Sequence, residues 1–180
     1  MLICFKLNLM NIKILSVLSI LMLFVSCKKN QETTTVEDDK QQNHIVTVQD
    51  ISKLKYIEYA LDAKTDAVIK DWKDYFLLQD VITNTINADL SFFNDNEEAV
   101  KTLVVGLKKS IPSEINSEAI LARMLVLETK IFKLESLSNL PTTGKEELLN
   151  TIKEFLISFS NLNFQINKKI EFDNRTIEKS

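Results

Sequence analysis

The side chains of this 180-residue chain that could do chemistry are charges and amides set on or beside apolar helical stripes. In "AILARMLVLETKIF", residues 119–132, Arg123 and Glu128 flank an apolar stripe, with Leu121, Met124 and Phe132 around the acid. Arginine is rare here: Arg123 and Arg175 are the only two among 22 basic residues. A charge close to a core needs a partner, and the planar guanidinium fork matches a carboxylate. Arg123 and Glu128 are therefore either a ligand-anchoring pair in a groove or a structural ion pair that fixes helix register. Asn163, Gln165 and Asn167 in "SFSNLNFQINKK" pose the same choice, and Asn163 falls on the seam, where a buried amide commonly sets register.

Other constellations are weaker. Glu58, Asp62, Asp66, Lys70 and Asp74 recur every four residues, which on a helix gives one acidic face, read as solvated rather than as a cation site. Trp72, Tyr75 and Phe76 read as core rather than as a binding platform. "NDNEE" at 94–98 lacks the glycine and spacing of a calcium loop. Cys4, Cys27 and the single histidine, His44, all precede the presumptive domain. Haem ligation, Glu-x-x-His di-iron sites, thiolate metal sites and imidazole-based catalysis therefore lack their usual groups there. No cofactor and no metal is expected, and an enzyme is the least favoured class.

These residues sit on helices. Only 2 Gly and 2 Pro occur, too few for the turns and hairpins that sheets need. Ile51, Leu54, Ile57, Leu61, Val68, Trp72, Tyr75, Phe76, Ile82 and Ile86 follow a helical period, which predicts a long first helix, straight or bent, over roughly 50–87. "DLSFFND" interrupts it, with Phe92-Phe93 either plugging one end of the bundle or forming an exposed contact. Asp95-x-x-Glu98 has the form of a capping box opening a shorter helix that ends near "KKSIP". A third helix is expected from Pro112 and Ser113 to the stop at Pro141, and Thr143-x-x-Glu146 forms a second capping box before the last helix. The expectation is all-α: an antiparallel bundle of three to four helices over 49–178.

Ahead of the bundle, Ile14–Val25 is an apolar run following Lys6 and Lys13, shorter than the roughly 20 residues that span a bilayer. Met10 is a candidate start, which would leave Cys4 outside the protein. The stretch Phe24-Val25-Ser26-Cys27 resembles a bacterial lipobox, with small Ser26 before the cysteine and Phe24 departing from the usual leucine. The resemblance implies cleavage between Ser26 and Cys27 of a signal peptide over 1–26. It also implies diacylation of the Cys27 sulfur and membrane attachment through that lipid. Two or three acyl chains, at about 0.8 kcal/mol per buried methylene, make a stable anchor where one would not. Lys28, standing where an inner-membrane retention aspartate would sit, points the resemblance toward the outer membrane, facing either the periplasm or the outside. Residues 27–48 are polar and read as a flexible tether, with His44 solvated.

Removing residues 1–26 takes Lys6 and Lys13 away and moves the net charge from −3 to −5, a poor match to a phosphate backbone, so nucleic acid is not expected as a partner. With "SCKKN", the segments "ARMLVLETKIFKL" and "LLNTIKEFLISFSNLNFQINKKIE" are similar to small uncharacterised helical lipoproteins of the Bacteroidota. That likeness implies a fold and a location, and no activity. The reading is a lipid-anchored, non-enzymatic binding or scaffolding module of the cell envelope, with an envelope protein as its partner. The alternative is a small-ligand carrier with a cleft between helices near Arg123 and Glu128. Metabolic labelling with a fatty-acid probe should mark the wild-type protein and leave Cys27→Ala unlabelled. A soluble, unlabelled wild type would make Cys27 an incidental thiol.

Overall fold

The structure, a computed structural model, describes residues 45–175, which are helical with no strand among them. Six helices follow in order: α1 (Val48–Ile51), α2 (Ala63–Ile69), α3 (Lys73–Ile86), α4 (Glu97–Lys109), α5 (Glu118–Ser138) and α6 (Lys145–Asp173). None of them is long and apolar enough to cross a membrane. Helices α3–α6 form the bundle expected from the sequence. Helix α6 is its spine, 29 residues that rise about 44 Å at 1.5 Å per residue.

Three cross-links show neighbouring helices running antiparallel. Lys130 and Lys133 on α5 converge on Glu154 of α6, at 3.1 and 2.9 Å, and hold that carboxyl below its ordinary range. Lys108 of α4 meets Glu128 of α5. Asp74 of α3 accepts from Ser110 Oγ at the end of α4, at 2.5 Å. This last approach is tight: a Cβ on Gly106 would lie 2.6 Å from Asp74 Oδ1, so the helical glycine makes room for the carboxylate. The apolar stripes of the four helices meet in one core that includes Leu78, Val100, Leu127, Ile131, Leu134, Ile152, Phe155 and Ile166. Phe93 is fully buried and packs edge-on to Phe155, ring centres 5.9 Å apart, so the Phe92-Phe93 pair closes one end of the bundle.

The first expected helix is not continuous. Between α1 and α2, residues 54–62 leave the helical path and run as a strap along α6, and Ile57, expected in the core, is 69% exposed. The cause lies on α6. Ser160, Asn163 and Asn167, spaced i, i+3 and i+7, share one face and hydrogen-bond the strap's backbone. Ser160 Oγ donates to Ile57 O and accepts from Tyr59 N–H, both at 2.8 Å. Asn163 Nδ2 donates to Tyr59 O at 3.0 Å. Asn167 Nδ2 donates to Ala60 O at 2.8 Å, while its Oδ1 accepts from Asp62 N–H at 3.1 Å. Backbone groups satisfied by side chains no longer need helical partners. Asp62 then caps a fresh helix, its carboxylate accepting from Thr65 N–H at 2.8 Å. A turn at Trp72, whose N–H donates to Ile69 O, separates α2 from α3.

Both expected capping boxes fail. Asp95 adopts a left-handed φ of 49° and gives its N–H to Asn139, leaving Asn96 at the start of α4 without a side-chain cap. Gly144, not Thr143, precedes α6. The box that forms is Thr47–Asp50 at the start of α1. Lys145 bridges to Asp50 at 2.7 Å, and with Thr47 it holds the Asp50 carboxyl far below the carboxylate range. Val46 is buried beside this box, so residues 46–48, assigned above to the tether, join the packed structure. Helix α5 begins after Ser117 rather than at Pro112; the turn between them buries Ile115 completely.

Truncating Asn163 would take their partner from the strap carbonyl of Tyr59 and from the Tyr75 hydroxyl of α3. Asn163→Ala should lower the unfolding free energy by roughly 1–3 kcal/mol in chemical denaturation. Gln165→Ala, two positions away and with no side-chain hydrogen bond to the strap, should change it by less than about 0.5 kcal/mol.

Candidate ligand-binding site

Arg123 is exposed on α5, and Glu128 takes Lys108 of α4 as its partner, so the expected Arg123–Glu128 pair is not made. Five positions on an α-helix place two side chains about 140° apart, on opposite flanks of the stripe. The space between α4 and α5 here, lined by Val104, Leu107, Met124 and Leu127, amounts to about 10 Å³. That is barely one water, so the gap that Glu128 lines is too small for a ligand. The acidic row is dispersed as well: Glu58 lies on the strap, Asp62 caps α2, Asp66 follows on α2 and Asp74 faces Ser110. Among the described residues, no group of three or more metal-ligating side chains is gathered for a metal ion. Ser26, Cys27 and His44 lie outside the described residues.

The structure instead places a cavity of about 200 Å³ beneath the strap, between it, α3 and α6. Its floor is buried: Tyr75 and Ile82 from α3, and Leu156, Phe159, Ser160 and Asn163 from α6. Its rim is the strap itself, with Tyr56, Glu58 and Tyr59, together with Asp66 of α2 and Gln79 of α3. All 3 tyrosines of the chain line it. Two acids line it, and no lysine or arginine does.

Each side chain of the floor has a reason to be where it is. Tyr75 is held by aromatic neighbours on three sides. Trp72 stacks on it at 5.4 Å, Phe159 at 5.7 Å, and Phe76 meets it edge-on at 5.5 Å. Its hydroxyl donates to Asn163 Oδ1 at 3.0 Å. Burial, helped by the nearby Asp66 carboxylate, pushes the Tyr75 phenol well up, so it stays a neutral donor. Burial beside Glu58 also raises the Tyr56 phenol. Asn163 thereby joins floor to roof, with its Oδ1 on Tyr75 and its Nδ2 on the strap carbonyl of Tyr59. On the outer side, the Tyr59 ring rests against Phe164 at 4.7 Å.

The floor hydroxyls and amide are engaged with one another and with the strap, and none is paired with a base that would activate a nucleophile. A second depression, of about 640 Å³ and wide open, lies between α3 and α4 over Leu77, Val81, Phe92 and Leu103. No family model, no curated protein and no solved structure matches this chain.

Sequence reasoning missed the cavity because it assigned residues 52–61 to a helix. Two signals were present. Tyr56, Tyr59 and Tyr75 cluster within twenty residues of one another, and Ser160, Asn163 and Asn167 put three polar groups on one line of a helix that otherwise buries its apolar stripe.

Proposed function

We propose that the protein is a lipid-anchored, non-enzymatic binding module of the bacterial cell envelope, and that the cavity under the strap is its ligand site. The cavity carries this reading. At about 200 Å³ it is more than ten times the roughly 15 Å³ that one ordered water needs, and below the 300–1,000 Å³ typical of drug-sized ligands. It suits a small metabolite. An apolar and aromatic floor with a few fixed polar groups is the usual composition of such sites. The lipobox resemblance at Cys27 supports attachment to the membrane, and a polar tether of this kind would hold the domain near the surface while leaving the site free. Cysteine and histidine are absent from residues 45–175, which supports binding over catalysis.

This is the carrier reading of the sequence, moved from the α4–α5 seam to the face between α3, α6 and the strap. Gln79 lies on the exposed rim of the cavity, so Gln79→Trp would fill the site without entering the core. In a thermal-shift screen of small polar and amphiphilic metabolites, at least one compound should raise the melting temperature of the wild type by a few degrees and fail to do so for Gln79→Trp. If nothing shifts the wild type, or the variant shifts equally, the cavity is not a ligand site.

A further inference from the structure

Resting on that reading, the geometry points to a ligand class: we propose that the cavity under the strap takes a small organic cation, with a quaternary ammonium group. Three observations converge. The first is charge. Glu58 and Asp66 are the charged residues that line the cavity, and neither has a salt-bridge partner among the described residues. Two carboxylates without a basic partner at the mouth of a site with a buried floor favour a cation and oppose an anion.

The second is the aromatic surface. Tyr56 and Phe159 line the cavity beside the Tyr75 stack, and a ring face turned to the cavity would attract a cation within about 6 Å of its centre. The third is the state of the polar atoms. Ser160 and Asn163 spend their hydrogen bonds on Ile57, Tyr59 and Tyr75, and the Tyr75 hydroxyl donates to Asn163. A primary ammonium buried on this floor would bring three N–H donors to acceptors already engaged. A quaternary ammonium brings none. It presents methyl groups to Ile82, Leu156 and the rings, and its diffuse charge to Glu58 and Asp66 at the rim.

The strap sets the specificity. Because its backbone is fastened to α6 at Ile57, Tyr59, Ala60 and Asp62, the rim carrying Tyr56 and Glu58 is fixed in place before any ligand arrives. Little ordering is then left to oppose binding.

The test is calorimetric titration of the full-length protein, held in a maltoside detergent free of ammonium groups. The probes are choline, its uncharged isostere 3,3-dimethylbutan-1-ol, and acetate. Choline should bind, the isostere at least tenfold more weakly, and acetate not at all. The Glu58→Gln/Asp66→Asn variant, folded by circular dichroism, should lose tenfold or more in choline affinity and leave the isostere unchanged. Soluble glycerophosphocholine separates a lipid head group from a free cation without engaging the lipid anchor, and binding of either carries the shared ammonium chemistry. Equal binding of choline and its isostere, or undiminished choline binding by the variant, would overturn the cation and leave the cavity a neutral-ligand site. Binding of none of the probes, with no hit in the thermal-shift screen either, would overturn the ligand site itself.

Discussion

Asn163 is the side chain on which the unusual part of this fold depends. It is 4% exposed and sits on the face of α6 that would otherwise meet a fourth apolar partner. An amide buried there with one hydrogen bond missing would destabilise the bundle by an amount comparable to losing a core methyl group or more. Both ends are satisfied, one by the hydroxyl of Tyr75 and the other by the backbone of Tyr59. To reach the second partner, residues 57–62 must leave the helical path, because a helical Tyr59 carbonyl would be turned toward its own chain. Ser160 and Asn167 repeat the same arrangement on either side of Asn163 along α6.

The cavity follows from this geometry. A non-helical strap covers a helix face with less side-chain volume than a packed helix does. A helix laid over Tyr75 and Phe159 would press its own stripe into them. The strap instead turns Ile57 outward and leaves room beneath, bounded by Tyr56 on one side and Asp66 on the other. Space in a close-packed interior normally collapses. Here the aromatic stack of Trp72, Tyr75 and Phe159 keeps the floor rigid, and the side-chain ladder keeps the roof from settling.

Much of the scaffold was legible in the sequence. The stripes of α4, α5 and α6, the stop before Pro141 and the core positions Ile120, Met124, Leu127, Ile131 and Leu134 follow from periodicity alone, since packing of one apolar face decides them. What was not legible depended on partners distant in the chain. Ser160 binds the strap across 101 to 103 positions and Asn163 reaches 88 positions to Tyr75, and no local pattern announces either. Asn163 was recognised as a seam amide, but its partner could not be named without the fold. Arg123 and Glu128 misled for a related reason. Two charges flanking one stripe look like a pair on paper, whereas the helix turns them apart and hands Glu128 to Lys108. Asp95 had the spacing of a cap, yet a tertiary bond to Asn139 drew its backbone into the left-handed region.

The pinning of the strap by α6 is tested most directly by amide-resolved hydrogen exchange on the native protein. Tyr59 and Asp62 lie outside helical hydrogen bonding, yet their N–H groups donate to Ser160 and Asn167, so both should exchange orders of magnitude more slowly than an unprotected loop amide. In Asn163→Ala, protection at Tyr59 and Asp62 should fall while that of α5 and the middle of α6 persists. Fast, unprotected exchange throughout residues 57–62 of the wild type would contradict a fastened strap, and with it the preformed cavity.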